Sequence, residues 1–332
     1  MNRDDILKSL MTADLAALCA EADRVRREHV GDAVHLRGLI EFSNACGRDC
    51  LYCGLRRSNR EVVRYRMGTD EIFASAAFAA GLGFKSLVLQ SGESAQYETD
   101  ALCALVRRIK AELGVAITLS IGEKTREEYA ALKKAGADRY LLRFETSSDV
   151  LFRKLKPDSS QAERMACLHA LREVGFQVGS GIMVGLPGQT VEMIADDIFL
   201  MQELDLDMIG FGPFIANPET PLKDQGNASL DLTLRTLAVI RIVMKNVHIP
   251  ATTAMGTIDP EGRQKALRAG ANVLMPNVTP TVYREMYQLY PNKPGLKQAP
   301  SDTFETLVKL VHSVGRTVAI DAGHSLKPAP SP

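Results

Sequence analysis

The chain has 332 residues, a mass of 36.3 kDa and equal numbers of basic and acidic side chains, 40 of each, with 45% hydrophobic and 24% charged residues. A mean hydropathy near zero with this balance excludes a disordered or fibrous protein, and the zero net charge argues against general binding to nucleic acid or anionic membranes. No apolar run reaches the roughly 18 residues of a membrane helix, and the opening MNRDDILKSL has acids where a signal peptide has bases, so a cytoplasmic location is expected.

Residues 2–29 read as one or two helices, with Ile6, Leu10, Leu15 and Leu18 at helical spacing. The first strand is expected at 33–42, followed by helix 69–81, strand 86–90, helix 97–112, strand 115–120, helix 125–135 and strand 138–144. The second half continues with helix 160–174, strand 177–184, helix 190–204, strand 207–214, helix 229–246, strand 249–254, helix 260–269, strand 271–275 and helix 302–314. Strands alternating with amphipathic helices mean a parallel sheet wrapped by helices. Gly83, Gly114, Gly136, Gly175 and Gly270 stand just before strands, where a left-handed residue ends the preceding helix. Eight such units predict an α/β protein, a single (β/α)8 TIM-type barrel over 33–316. Residues 1–32 form an N-terminal helical extension, and 317–332 a frayed tail ending KPAPSP. A doubly wound open sheet is the alternative.

In a parallel barrel the chemistry gathers at the C-terminal ends of the strands. Those ends are polar here: SNACGRDCLYC after strand one, Gln90 to Glu93 after strand two, Thr118 to Glu123 after strand three. Arg143, Glu145 and Thr146 end strand four, GIMVGLPGQT strand five, Thr252 and Thr253 strand seven, and Asn277 and Thr279 strand eight.

The sharpest signal is Cys46-x3-Cys50-x2-Cys53 in one loop. Closely spaced thiolates select soft centres: zinc, copper(I) or iron–sulfur. Structural zinc wants four ligands, and no fourth Cys lies nearby. Three cysteines on a cubane would hold three irons and leave one open. Three unrelated buried cysteines are the bland alternative, which their place after the first strand disfavours. Cys19, Cys103 and Cys167 sit on helical faces among Leu, Ala and Val and read as small core residues. No two of the six histidines have ligand spacing.

This spacing after the first strand, with Tyr52 before the last cysteine, resembles the radical S-adenosylmethionine (SAM) superfamily. There the open iron of one 4Fe–4S cluster chelates the amino and carboxylate groups of SAM, and one electron breaks its sulfonium C–S bond to give a 5′-deoxyadenosyl radical. IEFSNACGRDCLYCGLRRSN, VLQSGE, RYLLRFET, GIMVGLPGQT, GPFIANPETPL, IPATTAMGT and ANVLMPN follow in the order seen in the HydE group, the radical SAM maturases of FeFe-hydrogenase, akin to biotin synthase and 3-methylornithine synthase. The likeness covers about residues 30–295.

The resemblance implies Cys46, Cys50 and Cys53 as cluster ligands and Tyr52, Gly92, Glu93, Ser120, Glu145, Arg164 and Ile182 as SAM contacts. Gly92-Glu93 is similar to the family's Gly-Gly-Glu motif, with Ser91 in place of the first glycine; a carboxylate and free carbonyls suit an ammonium. Arg164 offers a planar fork for a carboxylate, Glu145 an acceptor for hydroxyl or ammonium, and Ser120 falls near the ribose. On its own residues Arg164 would read as a solvated helix face, and Glu93 as a loop acid. Ile182 belongs to the segment resembling the adenine-contact strand.

For the substrate the expected contacts are Gln90, Thr118, Arg143, Thr252, Thr253, Tyr287 and Tyr290, polar groups on strand ends and on the segment after strand eight. The threonines equally suit a buried strand, and the tyrosines of YREMYQLY equally suit amphipathic packing. HydE substrates are thought to be organometallic iron species from another maturase, so the partners implied are that small molecule, a ferredoxin or flavodoxin as electron donor, and other maturases.

Two departures bear on this. Phe144 stands where the HydE pattern has a histidine, which keeps open an amino-acid or thioether substrate as in the 3-methylornithine and biotin synthases. No cysteine follows Cys167, so one cluster is expected, without the accessory cluster of some relatives. A non-catalytic iron–sulfur or zinc protein is the reading from another class. Arg56, Arg57, Arg60, Arg64 and Arg66 follow the cysteine loop as a solvated rim or, alternatively, a docking face for an anionic partner.

Overall fold

The structure, a computed structural model, describes residues 1–327. Helices α1 (Arg3–Thr12) and α2 (Leu15–Val30) precede β1 (Ala33–Ser43). Then come α3 (Thr69–Gly81), β2 (Ser86–Ser91), α4 (Thr99–Leu113), β3 (Ala116–Ser120), α5 (Arg126–Lys134), β4 (Arg139–Leu141), α6 (Asp149–Leu155), α7 (Gln161–Glu173), β5 (Gln177–Ser180) and β6 (Met183–Val184). The last third carries α8 (Val191–Glu203), β7 (Met208–Ile209), β8 (Gly212–Pro213), α9 (Leu230–Met244), α10 (Thr253–Ile258), α11 (Gly262–Arg268), β9 (Val273–Leu274), α12 (Thr281–Arg284), α13 (Pro300–Ser313) and β10 (Thr317–Val318).

The strands pair in parallel in the order β1-β2-β3-β4-β5-β7. Single bridges carry the ring on, Met208 to His248 and Pro250 to Val273, and β9 then pairs with β1 through His35↔Val273 and Leu36↔Leu274. The pairing thus returns to its first strand, and the chain is a TIM-type α/β barrel rather than an open sheet. The seventh strand, expected at 249–254, survives only as those bridges, since Pro250 has no N–H to give a ladder. The expected strands 177–184 and 207–214 each break into two pieces, β5/β6 and β7/β8. The break falls where the chains cross: a Cβ on Gly181 (φ +153°) would lie 2.4 Å from the Gly210 carbonyl oxygen.

The helices stop where expected: Gly83, Gly114, Gly136, Gly175 and Gly270 all have positive φ. Short helices α6, α10 and α12 were not foreseen, because six or so residues give too little periodicity to read. The N-terminal helices share the core, α1 packing on α8 and α2 on α9. Asn2 and Asp14 cap them, each accepting a backbone N–H at 2.9 Å. Ile6 is fully buried in that seam, so Ile6→Ala is expected to lower stability by about 2–4 kcal/mol, read by urea unfolding; a loss below about 0.5 kcal/mol would mean that α1 is only loosely attached.

The tail does not fray as far as it is described. β10 pairs with the start of β1, Arg139 donates to the carbonyls of Ala322 (2.6 Å) and Gly323 (2.9 Å), and Lys327 bonds Asp205. Buried Arg37 and Arg139 need acceptors at the barrel floor, and the tail's carbonyls supply them. The rest of KPAPSP, from 328 on, lies outside the described residues. Among the described residues no helix is long and apolar enough to cross a membrane.

Candidate active site

A cavity of about 340 Å³ opens at the C-terminal ends of the strands and runs down the lumen to Arg37 and His248. Cys46, Cys50 and Cys53 all line it. Their loop is anchored on every side. Gly47 N–H donates to the Glu93 carbonyl (2.7 Å), Leu51 N–H to Leu155 (2.9 Å) and Gly54 N–H to Leu289 (3.0 Å). Asp49 accepts from Ser58 Oγ (2.7 Å) and Arg56 (2.8 Å); burial opposes its charge, yet these bonds pull it down to about 2. Cys50 and Tyr52 pack on Leu155, Leu186 and Phe214.

Burial, and then the neighbouring Cys50 and Cys46, push the Cys53 thiol up to about 12; burial likewise raises Cys50. Left alone these groups hold their protons, and a soft cationic centre would displace them. Among the described residues no three Cys, His, Asp or Glu side chains converge on one ion. Three thiols around one cavity, with no fourth Cys beside them among the described residues, fit a cluster in which each takes a different iron and one iron stays open.

Tyr52 of the loop lines the same wall as Gly92, Glu93, Ser120, Glu145 and Arg164, so the residues the resemblance singled out stand together there. Glu145 has φ +68°, an uncommon conformation for a non-glycine residue. It is held there by its N–H on the Gly181 carbonyl (2.9 Å) and by Asp197, which accepts from the next turn at Ser147 N–H (2.5 Å). Its Oε1 lies 3.3 Å from Arg143, and its buried Oε2 has no hydrogen-bond partner. Such a strained acidic residue on a cavity wall, with a buried oxygen that lacks a partner, suits a ligand contact.

Ile182 is different: its side chain is wholly buried in the core and its backbone bridges Glu145, so Met183 lines the wall in its place. Of the expected substrate contacts, Gln90, Thr118, Arg143, Thr252, Tyr287 and Tyr290 line the cavity. The Thr118 and Thr252 hydroxyls are buried without partners, and Gln90 donates to the Tyr287 hydroxyl at 3.0 Å. Thr253, the first residue of α10, does not line the wall.

Phe144 is fully buried in the core, off the wall, so it does not make the cavity more apolar. Three of the five loop arginines are spent on the protein itself: Arg56 on Asp49, Arg64 on the carbonyls of Asn44, Leu55, Arg56 and Asn59, and Arg66 over the Tyr97 ring at 4.2 Å. Arg57 lies 3.9 Å from Asp158, and Arg57, Arg60, Arg64 and Arg66 are all exposed.

Sequence reasoning missed Arg48 and Lys156, and placed Glu123 at the end of strand three without giving it a role. Arg48 bonds Glu93, Glu123 (2.6 Å) and the Asp158 carbonyl (2.7 Å). Its position inside the Cys-x3-Cys spacer was the available signal. Lys156 lines the cavity from the end of α6, a helix with no sequence signal.

The Radical SAM superfamily matches residues 40–201. A [FeFe] hydrogenase maturase subunit HydE from Thermotoga maritima is 50% identical over 307 residues, 92% of this chain and 88% of that protein. A 3-methylornithine synthase from Methanosarcina acetivorans is 30% identical over 280 residues, 82% of this chain and 78% of that protein. The crystal structure of methylornithine synthase (PylB) superposes with a TM-score of 0.83 at 27% identity, covering 96% of this chain and 94% of that one. The maturase HydG shares the fold at a TM-score of 0.79 and 17% identity, over 96% of this chain and 73% of that one.

Proposed function

The chain belongs to the radical SAM superfamily and, within it, to the HydE group, and from that premise we propose that its barrel mouth acts on a small precursor in assembly of the FeFe-hydrogenase active-site cluster. The observation that carries this is the meeting of three thiols, the unpartnered Glu145 oxygen and the Arg164 fork on one cavity wall.

When bound, one 4Fe–4S cluster and SAM supply a one-electron cleavage of the sulfonium C–S bond and the organic radical that follows. Cys46, Cys50 and Cys53 would each hold one iron. A single cluster is proposed, because Cys19, Cys103 and Cys167 are spread over α2, α4 and α7. Glu93 and the carbonyls about Gly92 would receive the SAM ammonium, and Arg164 its carboxylate. Ser120 and Glu145 would take the ribose hydroxyls, with Tyr52 shielding the loop from water.

Thr118, Thr252, Gln90, Arg143, Tyr287 and Tyr290 would orient the substrate, whose anionic part suits Arg143. Thr253 drops from this set, and the adenine would meet the strand end through Met183 and the Ile182 backbone. A ferredoxin or flavodoxin as electron donor and other maturases are the partners this reading requires. Since Phe144 lies off the cavity, it lends no support to an amino-acid or thioether substrate.

The test is anaerobic loading with iron and sulfide, then SAM and a reductant. Formation of 5′-deoxyadenosine, together with restored hydrogenase activity in cells lacking their own HydE, is the expected result. A loaded protein that forms no 5′-deoxyadenosine overturns the reading.

A further inference from the structure

Beside the cysteine loop two carboxylates and two guanidiniums form one network. Arg48 donates from Nε to Glu93 and from Nη2 to Glu123 at 2.6 Å, with its third nitrogen on the Asp158 carbonyl at 2.7 Å. On the inner side Arg164, 3% exposed, faces the same two acids. Its Nε lies 2.9 Å from Glu123 Oε1 and its Nη2 lies 3.7 Å from Glu93 Oε2. Yet Arg164 Nε and Nη2 and Glu123 Oε1 are buried without an aligned hydrogen bond. Burial opposes the Arg164 charge, but Glu123 and Glu93 outweigh it and keep the group protonated.

An arginine and a carboxylate this close ordinarily settle into a two-pronged pair. Here they do not, and Arg48 is the geometric reason, since it takes the outer oxygens of both acids and fixes their planes. We propose that Arg48 is a positioning residue for the amino-acid end of SAM: by fixing Glu93 and Glu123 so that neither makes a two-pronged pair with Arg164, it leaves the Arg164 fork able to receive a ligand carboxylate. This rests on the SAM reading above.

Two further features support it. The four side chains sum to no net charge, so a zwitterionic amino-acid group enters without burying an excess charge. The turn at Gly122 is packed against Glu93, where a Cβ would fall 2.1 Å from Glu93 Cγ, so the carboxylate has little room to choose another pose once Arg48 holds it. A lysine could not do the same, because a point ammonium lacks the fork that spans two carboxylates.

The test is the binding constant of SAM and of 5′-deoxy-5′-methylthioadenosine, which lacks the amino-acid group, to iron-loaded wild type, Arg48→Met and Arg48→Lys. Arg48→Met is expected to weaken SAM by about 10- to 100-fold, with methylthioadenosine and iron content unchanged and Arg48→Lys in between. Equal weakening of both ligands, or no change for SAM, overturns the proposal. Should Arg48→Met fail to load iron, Arg48→Lys carries the test by the same comparison. Wild type that binds neither ligand overturns the SAM reading itself, whereas tight SAM binding by both wild type and Arg48→Met overturns only the role of Arg48.

Discussion

Replacing any one of Cys46, Cys50 or Cys53 by serine is expected to abolish iron loading and SAM cleavage while leaving the fold intact. The three thiols line one cavity, and on the proposed reading each would take a different corner of the cluster. No spare thiol can substitute, since Cys19, Cys103 and Cys167 lie on three separate helices. A serine oxygen is a hard, weakly acidic donor in place of a soft thiolate. Changes behind a metal ligand already cost about 10- to 100-fold, so loss of a ligand should exceed ~100-fold. Iron and sulfide per chain, visible absorbance and 5′-deoxyadenosine formation measure this. The loop keeps its anchors through Gly47, Leu51 and Asp49, so circular dichroism should stay as in wild type. A Cys53→Ser protein carrying a full cluster would refute the assignment.

Gly92→Ala is expected to be nearly as damaging by a different route. A Cβ there would sit 2.2 Å from the Ala45 carbonyl oxygen, 2.8 Å from its carbon and 2.9 Å from Cys46 Cβ. These are mostly backbone atoms, which cannot turn aside as a side chain could. The same two segments are also tied by Gly92 N–H to Ser43 and Gly47 N–H to Glu93. The added methyl must therefore push the end of β2 and the cysteine loop apart. Overpacking of this kind costs about 1–3 kcal/mol, and a shift of ~1 Å at a reacting site costs about 100-fold in rate. Gly47→Ala is the control: its Cβ would lie 3.5 Å from the Glu93 carbonyl oxygen, an ordinary contact, and it should load iron as wild type does. Thermal midpoints and iron content of the two variants decide the matter, and equal behaviour would refute the steric argument.

The barrel was legible because its signals are local. Apolar periodicity, a glycine at each helix end and polar strand ends are written within a dozen residues of one another. The cysteine loop was legible for the same reason, its three thiols lying within eight residues. What could not be read has a common cause. The Ile182 side chain lies in the core beside the Gly181/Gly210 backbone crossing, leaving only its backbone at the strand end, and Thr253, the first residue of α10, does not line the cavity. The direction of a side chain at an irregular strand end depends on partners far along the chain.

The sequence by itself therefore determined the fold class, the cysteine centre and the end of the barrel at which chemistry occurs, since spacing and composition are enough to state these. Only the tertiary structure decided that Arg48 braces Glu93 and Glu123, that Phe144 stays in the core, and that the tail plugs the barrel floor through Arg37 and Arg139. Those pairings join residues tens to hundreds of positions apart, and burying a polar group fixes its partner by proximity in space, which no local pattern encodes.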